Sequence, residues 1–140
     1  EEAKGDDLLA AVEMAKFFIT LHPGLYQGED PALFEFLSLP ECEFCSSSLD
    51  VTRERLAEGT VQVGGDFTVP EQVIKSVLDT ETDDTTTALV GFTVVEAAYE
   101  FRDASNAVTL SDPGGTFRAA VALRNVDGLW RAYAVSTLAD

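Results

Sequence analysis

The first third of the chain carries apolar side chains at helical spacing. Leu8, Val12, Ala15 and Ile19 recur every three or four residues, which is typical of an amphipathic helix. The apolar stripe is wide, so we expect other elements to cover at least half of this helix. Pro23-Gly24 follows the stripe and predicts where the helix ends.

Two more helices are predicted before residue 60. Asp30-Pro31 is typical of a helix start, and Leu39-Pro40 ends the short segment that follows. The third predicted helix runs from about Cys42 to Glu58, and Gly59 stands where a C-terminal cap belongs. In the short second helix we expect the apolar residues to be almost wholly buried, namely Leu33, Phe34, Phe36 and Leu37.

From Thr60 onward the apolar period falls toward two, which predicts strands. Gly64-Gly65 interrupts the first of them and indicates a bulge or a tight hairpin. Residues 72–80 are expected to form one strand and residues 87–102 a longer one. The middle of the longer segment is apolar on both faces, so it should be central or covered, and Gly91 marks an expected bend.

The last two strands form the clearest pair. Apolar residues alternate through Phe117–Arg124 and Leu129–Leu138, and Asp127-Gly128 between them is a strong hairpin signal. Helices followed by antiparallel strands indicate an α+β fold. We therefore expect three N-terminal helices in the concave face of a strongly curved antiparallel sheet of about five strands, which would form a cone around the first helix.

The length of the chain fits a single domain. Its 140 residues, of which 46% are hydrophobic, are enough to bury a core without additional cross-links. Residues 1–7 are polar and are expected to form a flexible N-terminal segment. Residues 8–140 are expected to form the domain.

The charge of the chain excludes several classes of partner. Aspartate and glutamate total 25 against 9 lysines and arginines, which gives a net charge of −16. Such a field repels nucleic-acid phosphates and anionic lipid surfaces, so we expect no nucleic-acid partner. The sequence shows no uninterrupted apolar run of about 18 residues, so we also expect no membrane-spanning segment.

Cys42 and Cys45 are the only two cysteines. Three residues apart on the first turn of a helix, their α-carbons would lie about 5 to 5.5 Å apart, which a disulfide tolerates. A redox-active dithiol is an alternative, although Glu41 and Glu43 oppose a thiolate there. Zinc is a weaker alternative, since a structural site needs four ligands and the chain adds only His22. We favour a structural disulfide and expect no metal and no cofactor.

The chain resembles the nuclear transport factor 2-like, or cystatin-like, fold in its element order and its closing Gly128–Arg131 strand. More narrowly, it resembles an uncharacterised family of actinobacterial cell-envelope lipoproteins. That resemblance rests on the first helix ending near His22, the segment Leu39–Cys45 and Gly64-Gly65. It implies an extracytoplasmic location, either secreted or held by a lipid anchor upstream of Glu1. The membrane would then be reached only through that anchor, outside this chain.

A cone of this fold leaves a mouth, where many proteins of the fold bind or transform small apolar molecules. Enzymes of that kind need a carboxylate positioned by an apolar wall and a partner such as tyrosine. We therefore consider the polar groups that can point inward as candidate pocket residues, although no catalytic residue is assigned. They are Tyr26, Asp50, Arg53, Tyr99 and Tyr133.

Together these features favour a non-catalytic, extracytoplasmic domain that binds an unknown small ligand or protein partner. A small cone-pocket enzyme of the isomerase or hydrolase type is the first alternative. A structural module that dimerises through the outer sheet face is the second, so a homodimer stays open.

Overall fold

In the computed structural model, which describes residues 8–70, 73–82 and 85–139, three helices precede eight strands. The helices are α1 (Leu8–Tyr26), α2 (Ala32–Leu37) and α3 (Glu43–Glu58). The expected flexible segment, residues 1–7, lies outside the described residues. The strands are β1 (Val61–Gly64), β2 (Phe67–Thr68), β3 (Val73–Thr82), β4 (Thr85–Glu96), β5 (Tyr99–Arg102), β6 (Val108–Asp112), β7 (Gly115–Val126) and β8 (Leu129–Ala139).

Helix α1 is the central helix, and it is longer than the sequence predicts. Its predicted end at Pro23-Gly24 is wrong, because the helix continues to Tyr26. Proline removes a single backbone donor, and the carbonyls of Pro23 and Gly24 accept hydrogen bonds from Gln27 (3.0 Å) and Glu29 (2.9 Å). The tertiary contacts of the buried segment Pro23–Leu25 therefore outweigh the local stop signal.

By length and composition, α1 is also long and apolar enough to cross a membrane. In the fold, however, it serves as a core helix. Ala11, Ala15, Phe18 and Ile19 are almost completely inaccessible and belong to the main hydrophobic core. Burial on one face thus accounts for the apolar character of this helix.

Helix α2 buries only one of its two apolar faces, so the expectation of near-complete burial is wrong. Phe34 and Leu37 are 2% and 3% exposed, whereas Leu33 and Phe36 are 46% and 53% exposed. At about 100° per residue, positions 34 and 37 share one side of the helix, and positions 33 and 36 are centred about 100° away from it, on a neighbouring side. The Arg131 guanidinium lies 4.2 Å from the Phe36 ring centre and covers part of that exposed face.

The strands form two antiparallel sheets. The larger contains β2, β4, β7 and β8 in that order, with β3 also paired to β4. The smaller has the order β1-β5-β6. The expected α+β fold and the estimate of about five strands are thus correct for the larger sheet. Residues 87–102 form parts of two strands, because β4 belongs to the larger sheet and β5 to the smaller one.

Two chain segments, β1–β2 and β4–β5, pass from one sheet to the other at the same place. We call this place the sheet junction and define it by Gly64, Gly65, Ala97 and Ala98. β1 pairs with β5 on one side, and β2 pairs with β4 on the other. Across the break, Gly65 donates to the Ala98 carbonyl (3.1 Å) and Ala97 donates to the Asp66 carbonyl (3.0 Å). The pairing keeps one register across the junction, with Gly64 opposite Tyr99 and Phe67 opposite Glu96. Gly64-Gly65 therefore forms neither the expected bulge, which would add a residue to one strand, nor the expected hairpin.

The pairing around Gly91, where we expected a bend, differs on the two sides of β4. β4 remains in register with β7, with Val90 opposite Val121 and Phe92 opposite Ala119. On the other side, the pairing with β3 shifts between Val73, which lies opposite Phe92, and Lys75, which lies opposite Gly91.

The hairpin between β7 and β8 is confirmed. Asp127 and Gly128 have φ values of 54° and 86°, as a two-residue turn between twisted strands requires. Alternate residues of the paired strands face the helices and are fully buried, among them Val90, Phe92, Val121 and Leu123.

The disulfide between Cys42 and Cys45 is confirmed. Both cysteines are buried, and Cys42 also caps α3 by accepting a hydrogen bond from the Cys45 amide at 3.2 Å. The adjoining segment is tied to the sheet by the Leu39 amide, which donates to Ala132 (2.8 Å), and by an ion pair between Glu41 and Arg124. The bridge thus stiffens the place where the helices meet the edge of the larger sheet.

We predict that the double variant Cys42→Ser, Cys45→Ala is about 2 kcal/mol less stable than the oxidised protein, since the bridge closes a very short loop. Serine at position 42 keeps a good helix cap, so the difference isolates the covalent link. Urea unfolding measures it. Equal midpoints for the two proteins would contradict a stabilising role of the bridge.

Candidate functional site

His22 lies at the centre of an aromatic cluster between α1, α3 and the larger sheet. Its ring centre is 5.1 Å from those of Tyr26 and Phe44, 5.9 Å from that of Phe67 and 6.0 Å from that of Phe34. One ring nitrogen, Nε2, forms a 3.0 Å hydrogen bond with the Ser48 hydroxyl. Burial lowers the His22 pKa from 6.5 to about 4, so the imidazole is neutral at physiological pH.

A small cavity of about 100 Å³ lies beside this ring, inside the cone. Organic ligands bind in pockets of about 300 to 1,000 Å³, so this cavity holds a few water molecules or a ligand of a few heavy atoms. It is lined by His22, Pro23, Tyr26, Gln62, Phe67, Glu96, Tyr99 and Phe101.

Glu96 and Tyr99 give the cavity its acid–base character. Burial, followed by the nearby Asp112 carboxylate, raises the Glu96 pKa. Burial also raises the Tyr99 pKa, and the nearby Glu96 and Asp112 carboxylates raise it further. The Tyr99 hydroxyl donates a hydrogen bond to Asp112. A carboxyl group beside a neutral tyrosine is an arrangement that general acid–base catalysis uses.

Arg55, on α3, packs against two of the residues that line the cavity, Tyr26 and Phe101. Its guanidinium carbon lies 5.0 Å from the ring centre of Tyr26 and 4.1 Å from that of Phe101. Its Nη1 atom is buried without a hydrogen-bond partner among the described residues. The two aromatic faces thus hold this cation in place.

The five residues predicted from the sequence do not share one site. Tyr26 and Tyr99 both line the cavity. Asp50 and Arg53 form a 3.3 Å ion pair and line a separate groove of about 300 Å³ beside the disulfide. Tyr133 lies elsewhere, with its ring 4.6 Å below the Arg124 guanidinium.

Helix geometry explains why Asp50 and Arg53 point away from the cone. Leu49 and Thr52 are the buried positions of α3, and the residues that follow each of them are rotated by about 100° toward solvent. In β8, Ala132 lies opposite Leu123 and Ala134 lies opposite Ala122. The register with β7 therefore shifts at Tyr133, which displaces this residue.

Sequence reasoning missed Glu96, Gln62 and Arg55. For Glu96 a signal was available, because it follows the buried Val90, Phe92 and Val94 at two-residue spacing and so belongs to the inward face of β4. Gln62 is buried, and its amide donates to the Gly64 carbonyl at 2.8 Å. Arg55 offered no sequence signal, since its stacking partners come from α1 and β5.

A second, larger concavity opens on the surface at the sheet junction, and we call it the junction depression. Its volume is about 520 Å³. Tyr99 lines both concavities, so the backbone of β5 at this residue lies between them. The depression is lined by Val63, Gly64, Ala98, Tyr99, Glu100, Ser111, Asp112 and Pro113.

No protein-family model matches the chain, and no curated protein does either. The intermembrane space region of the chloroplast protein ARC6 is structurally similar, with a TM-score of 0.64 and 18% identity over 96% of this chain and 98% of that one. A ketosteroid isomerase-like protein from Erwinia carotovora atroseptica has a TM-score of 0.55 and 14% identity over 94% and 95% of the two chains. An uncharacterised cystatin-like protein from Caulobacter vibrioides gives 0.47 and 12% over 97% and 89%.

The chain thus has the nuclear transport factor 2-like, cystatin-like fold. Identities this low show the fold and leave the activity to be argued from the site.

We predict that the protein loses about 2 kcal/mol of stability between about pH 7 and about pH 5 through His22 alone. The folded-state pKa lies below the unfolded one, so the unfolded chain binds the proton first and stability falls as pH drops from 6.5 toward 4. Denaturant unfolding at each pH measures the effect.

The matched variant is His22→Gln, which keeps a polar group toward Ser48 and does not titrate. Subtracting the pH profile of this variant removes the contribution of the carboxyl groups. That includes Glu96, whose raised pKa changes stability with pH in the opposite direction to His22. Parallel profiles for the two proteins would show that His22 is not buried in its neutral form.

Proposed function

We propose that the protein is a non-catalytic, extracytoplasmic domain that binds a small ligand or a protein partner. The observation that carries this proposal is the filling of the cone. The aromatic cluster around His22 occupies the space where an enzyme of this fold would hold its substrate and leaves about 100 Å³.

The chemistry of the filled cone argues in the same direction. His22 and Ser48 are hydrogen-bonded, but Ser48 is 5% exposed and the His22 pKa of about 4 makes the ring a poor base at neutral pH. The cavity beside His22, at about 100 Å³, is too small for an organic substrate. We therefore assign the pair to packing.

A small cone-pocket enzyme of the isomerase or hydrolase type is the alternative. Glu96 and Tyr99 favour it, because a carboxyl group of raised pKa lies at the same cavity as a neutral tyrosine. The fold shared with a ketosteroid isomerase-like protein is compatible with this reading. The volume of the cavity weighs against it.

The proposed location rests on the disulfide. Bridges of this kind persist in oxidising compartments and are rare in reducing ones. The similar ARC6 region belongs to an intermembrane space, which is also outside a cytoplasm. In its finer form, the same proposal makes the protein a member of the actinobacterial envelope lipoproteins. Residues 8–140 would then form one domain that follows an upstream lipid anchor.

The outer face of the larger sheet supports the second alternative, a dimerising module. Leu89 and Val95 are each 40% exposed there. Ala120 and Ala122 lie beside them on the same face, opposite Gly91 and Leu89. A face of small and apolar residues can pack against a second copy.

We predict no turnover above the buffer rate with a Δ5-3-ketosteroid, as an isomerase substrate, or with p-nitrophenyl acetate, as a hydrolase substrate. The physical reason is that neither molecule fits beside His22. Absorbance assays with the wild type and Glu96→Gln measure it. Turnover by the wild type that falls about 100-fold or more in Glu96→Gln would establish the enzyme instead.

A further inference from the structure

We propose that the outer side of the larger sheet docks an acidic, partly apolar segment of a partner protein. This inference rests on the proposed function and names the class of partner. We call the surface the outer sheet face, meaning the side of β4, β7 and β8 that faces away from the helices. It is defined by Leu89, Val95, Arg118, Ala120, Arg124 and Arg131.

The middle of the outer sheet face is apolar. Leu89 and Val95 are each 40% exposed, whereas the residues that alternate with them along β4, such as Val90, are buried on the helix side. Gly91 and Ala120 lie opposite each other between these two side chains. This part of the face can therefore bury leucine or valine side chains of a partner.

The charged residues of β7 and β8 have one sign only. The two strands contain no aspartate or glutamate, and their charged residues are Arg118, Arg124 and Arg131. The only acid of β4 is Glu96, which lines the cavity on the helix side. The acids of β3, Asp79 and Glu81, belong to the edge of the sheet opposite to β8. A chain with 25 acidic residues against nine basic ones thus keeps its carboxylates off β7 and β8.

Two of the arginines are held beside aromatic rings near the β8 edge. The Arg131 guanidinium lies 4.2 Å from the ring centre of Phe36, which is 53% exposed. The Arg124 guanidinium lies 4.6 Å from the Tyr133 ring centre and is paired with Glu41. The Nε atom of Arg131 is buried without a hydrogen-bond partner among the described residues. Arginine beside aromatic rings is a composition that protein interfaces favour.

A second copy of this chain is a poorer occupant of the outer sheet face. In a two-fold contact the same surface meets itself. Arg118 and Arg131 would then face β7 and β8 of the other copy, which offer them arginines and no carboxylate. A partner that carries carboxylates beside apolar side chains matches both parts of the face.

An anionic membrane is the other surface that exposed arginines attract. A membrane is planar and extends beyond the outer sheet face, so it also meets the acids around that face and is repelled by a chain of net charge −16. A short acidic segment contacts the face alone, because charges farther away than about 8 Å are largely screened at physiological ionic strength. The charge distribution therefore favours a protein segment.

The test is a titration of the ¹⁵N-labelled protein with three 12-residue peptides. All three carry leucines at helical spacing, and their other positions are glutamate in the first, glutamine in the second and lysine in the third. We expect the glutamate peptide to shift the amide signals of Leu89, Ala120 and Arg131. The lysine peptide should leave these signals in place, wherever else it binds on this acidic chain.

Paired variants separate the arginines of the face from the net charge. The double variant Arg118→Gln, Arg131→Gln should weaken binding of the glutamate peptide about fivefold or more and leave the glutamine peptide within about twofold. The double variant Arg53→Gln, Arg102→Gln removes the same charge on α3 and β5 and should leave both affinities within about twofold. Leu89→Glu places a carboxylate in the apolar part of the face and should abolish binding of the glutamate peptide, even if the first double variant fails to fold.

Equal shifts of the face signals by the glutamate and lysine peptides, no binding of any peptide, or equal losses in the two double variants would each overturn the docking surface. So would a dimer in analytical ultracentrifugation whose dissociation on dilution moves these signals. Phosphatidylglycerol vesicles that perturb the signals where the glutamate peptide does not would also overturn it. The non-catalytic role of the domain would survive all of these results, because it depends on the turnover assays and not on these probes.

Discussion

The sheet junction is the constraint on which the rest of the structure depends. Gly64 and Gly65 both adopt positive φ values, 81° and 86°, which residues with a side chain rarely adopt. A Cβ atom on Gly64 would also lie 2.5 Å from the Ala98 carbonyl oxygen. Only glycine lets β1–β2 and β4–β5 come together here and change sheet while their hydrogen bonds continue.

Both concavities of the molecule follow from this junction. The strand that leaves it, β5, begins with Tyr99, and the strand that reaches it, β4, ends with Glu96. Tyr99 therefore lines both concavities, with Glu96 lining the one and Asp112 the other. His22 lines the small cavity from the side of α1, and Tyr26 does so because α1 continues past Pro23. The small cavity and the open surface site are two consequences of one backbone arrangement.

Local chemistry decided which parts of the fold were predictable. The Asp127-Gly128 turn and the Cys42–Cys45 bridge each depend on residues adjacent in sequence, and both were predicted correctly. Helix α1 passes through Pro23 because tertiary contacts outweigh the stop signal, and the exposure of Leu33 and Phe36 depends on what lies opposite α2. At Gly91 the pairing with β7 stays in register, and the irregularity falls in the pairing with β3 on the other side of the strand.

The sites were less predictable than the fold, because they combine distant segments. Tyr26 and Tyr99 were predicted as residues of one pocket from their polar character, but their meeting at one cavity requires the path of β5 after the junction. Asp50 and Arg53 were placed on the correct helix and assigned to the wrong side of it. The junction depression carries no motif at all, since its walls come from β1, β5, β6 and the segments beside them.

The most direct measurement of this account compares the unfolding free energies of Gly64→Ala and Gly128→Ala. Both glycines have positive φ values, 81° and 86°, so alanine costs about 1 kcal/mol of backbone strain at each. Only at Gly64 does the added Cβ meet a backbone oxygen, because Gly128 has open space around it. We expect Gly64→Ala to be at least about 2 kcal/mol less stable than Gly128→Ala. Equal stabilities would contradict the close approach of strands at the junction and, with it, the proposed origin of both sites.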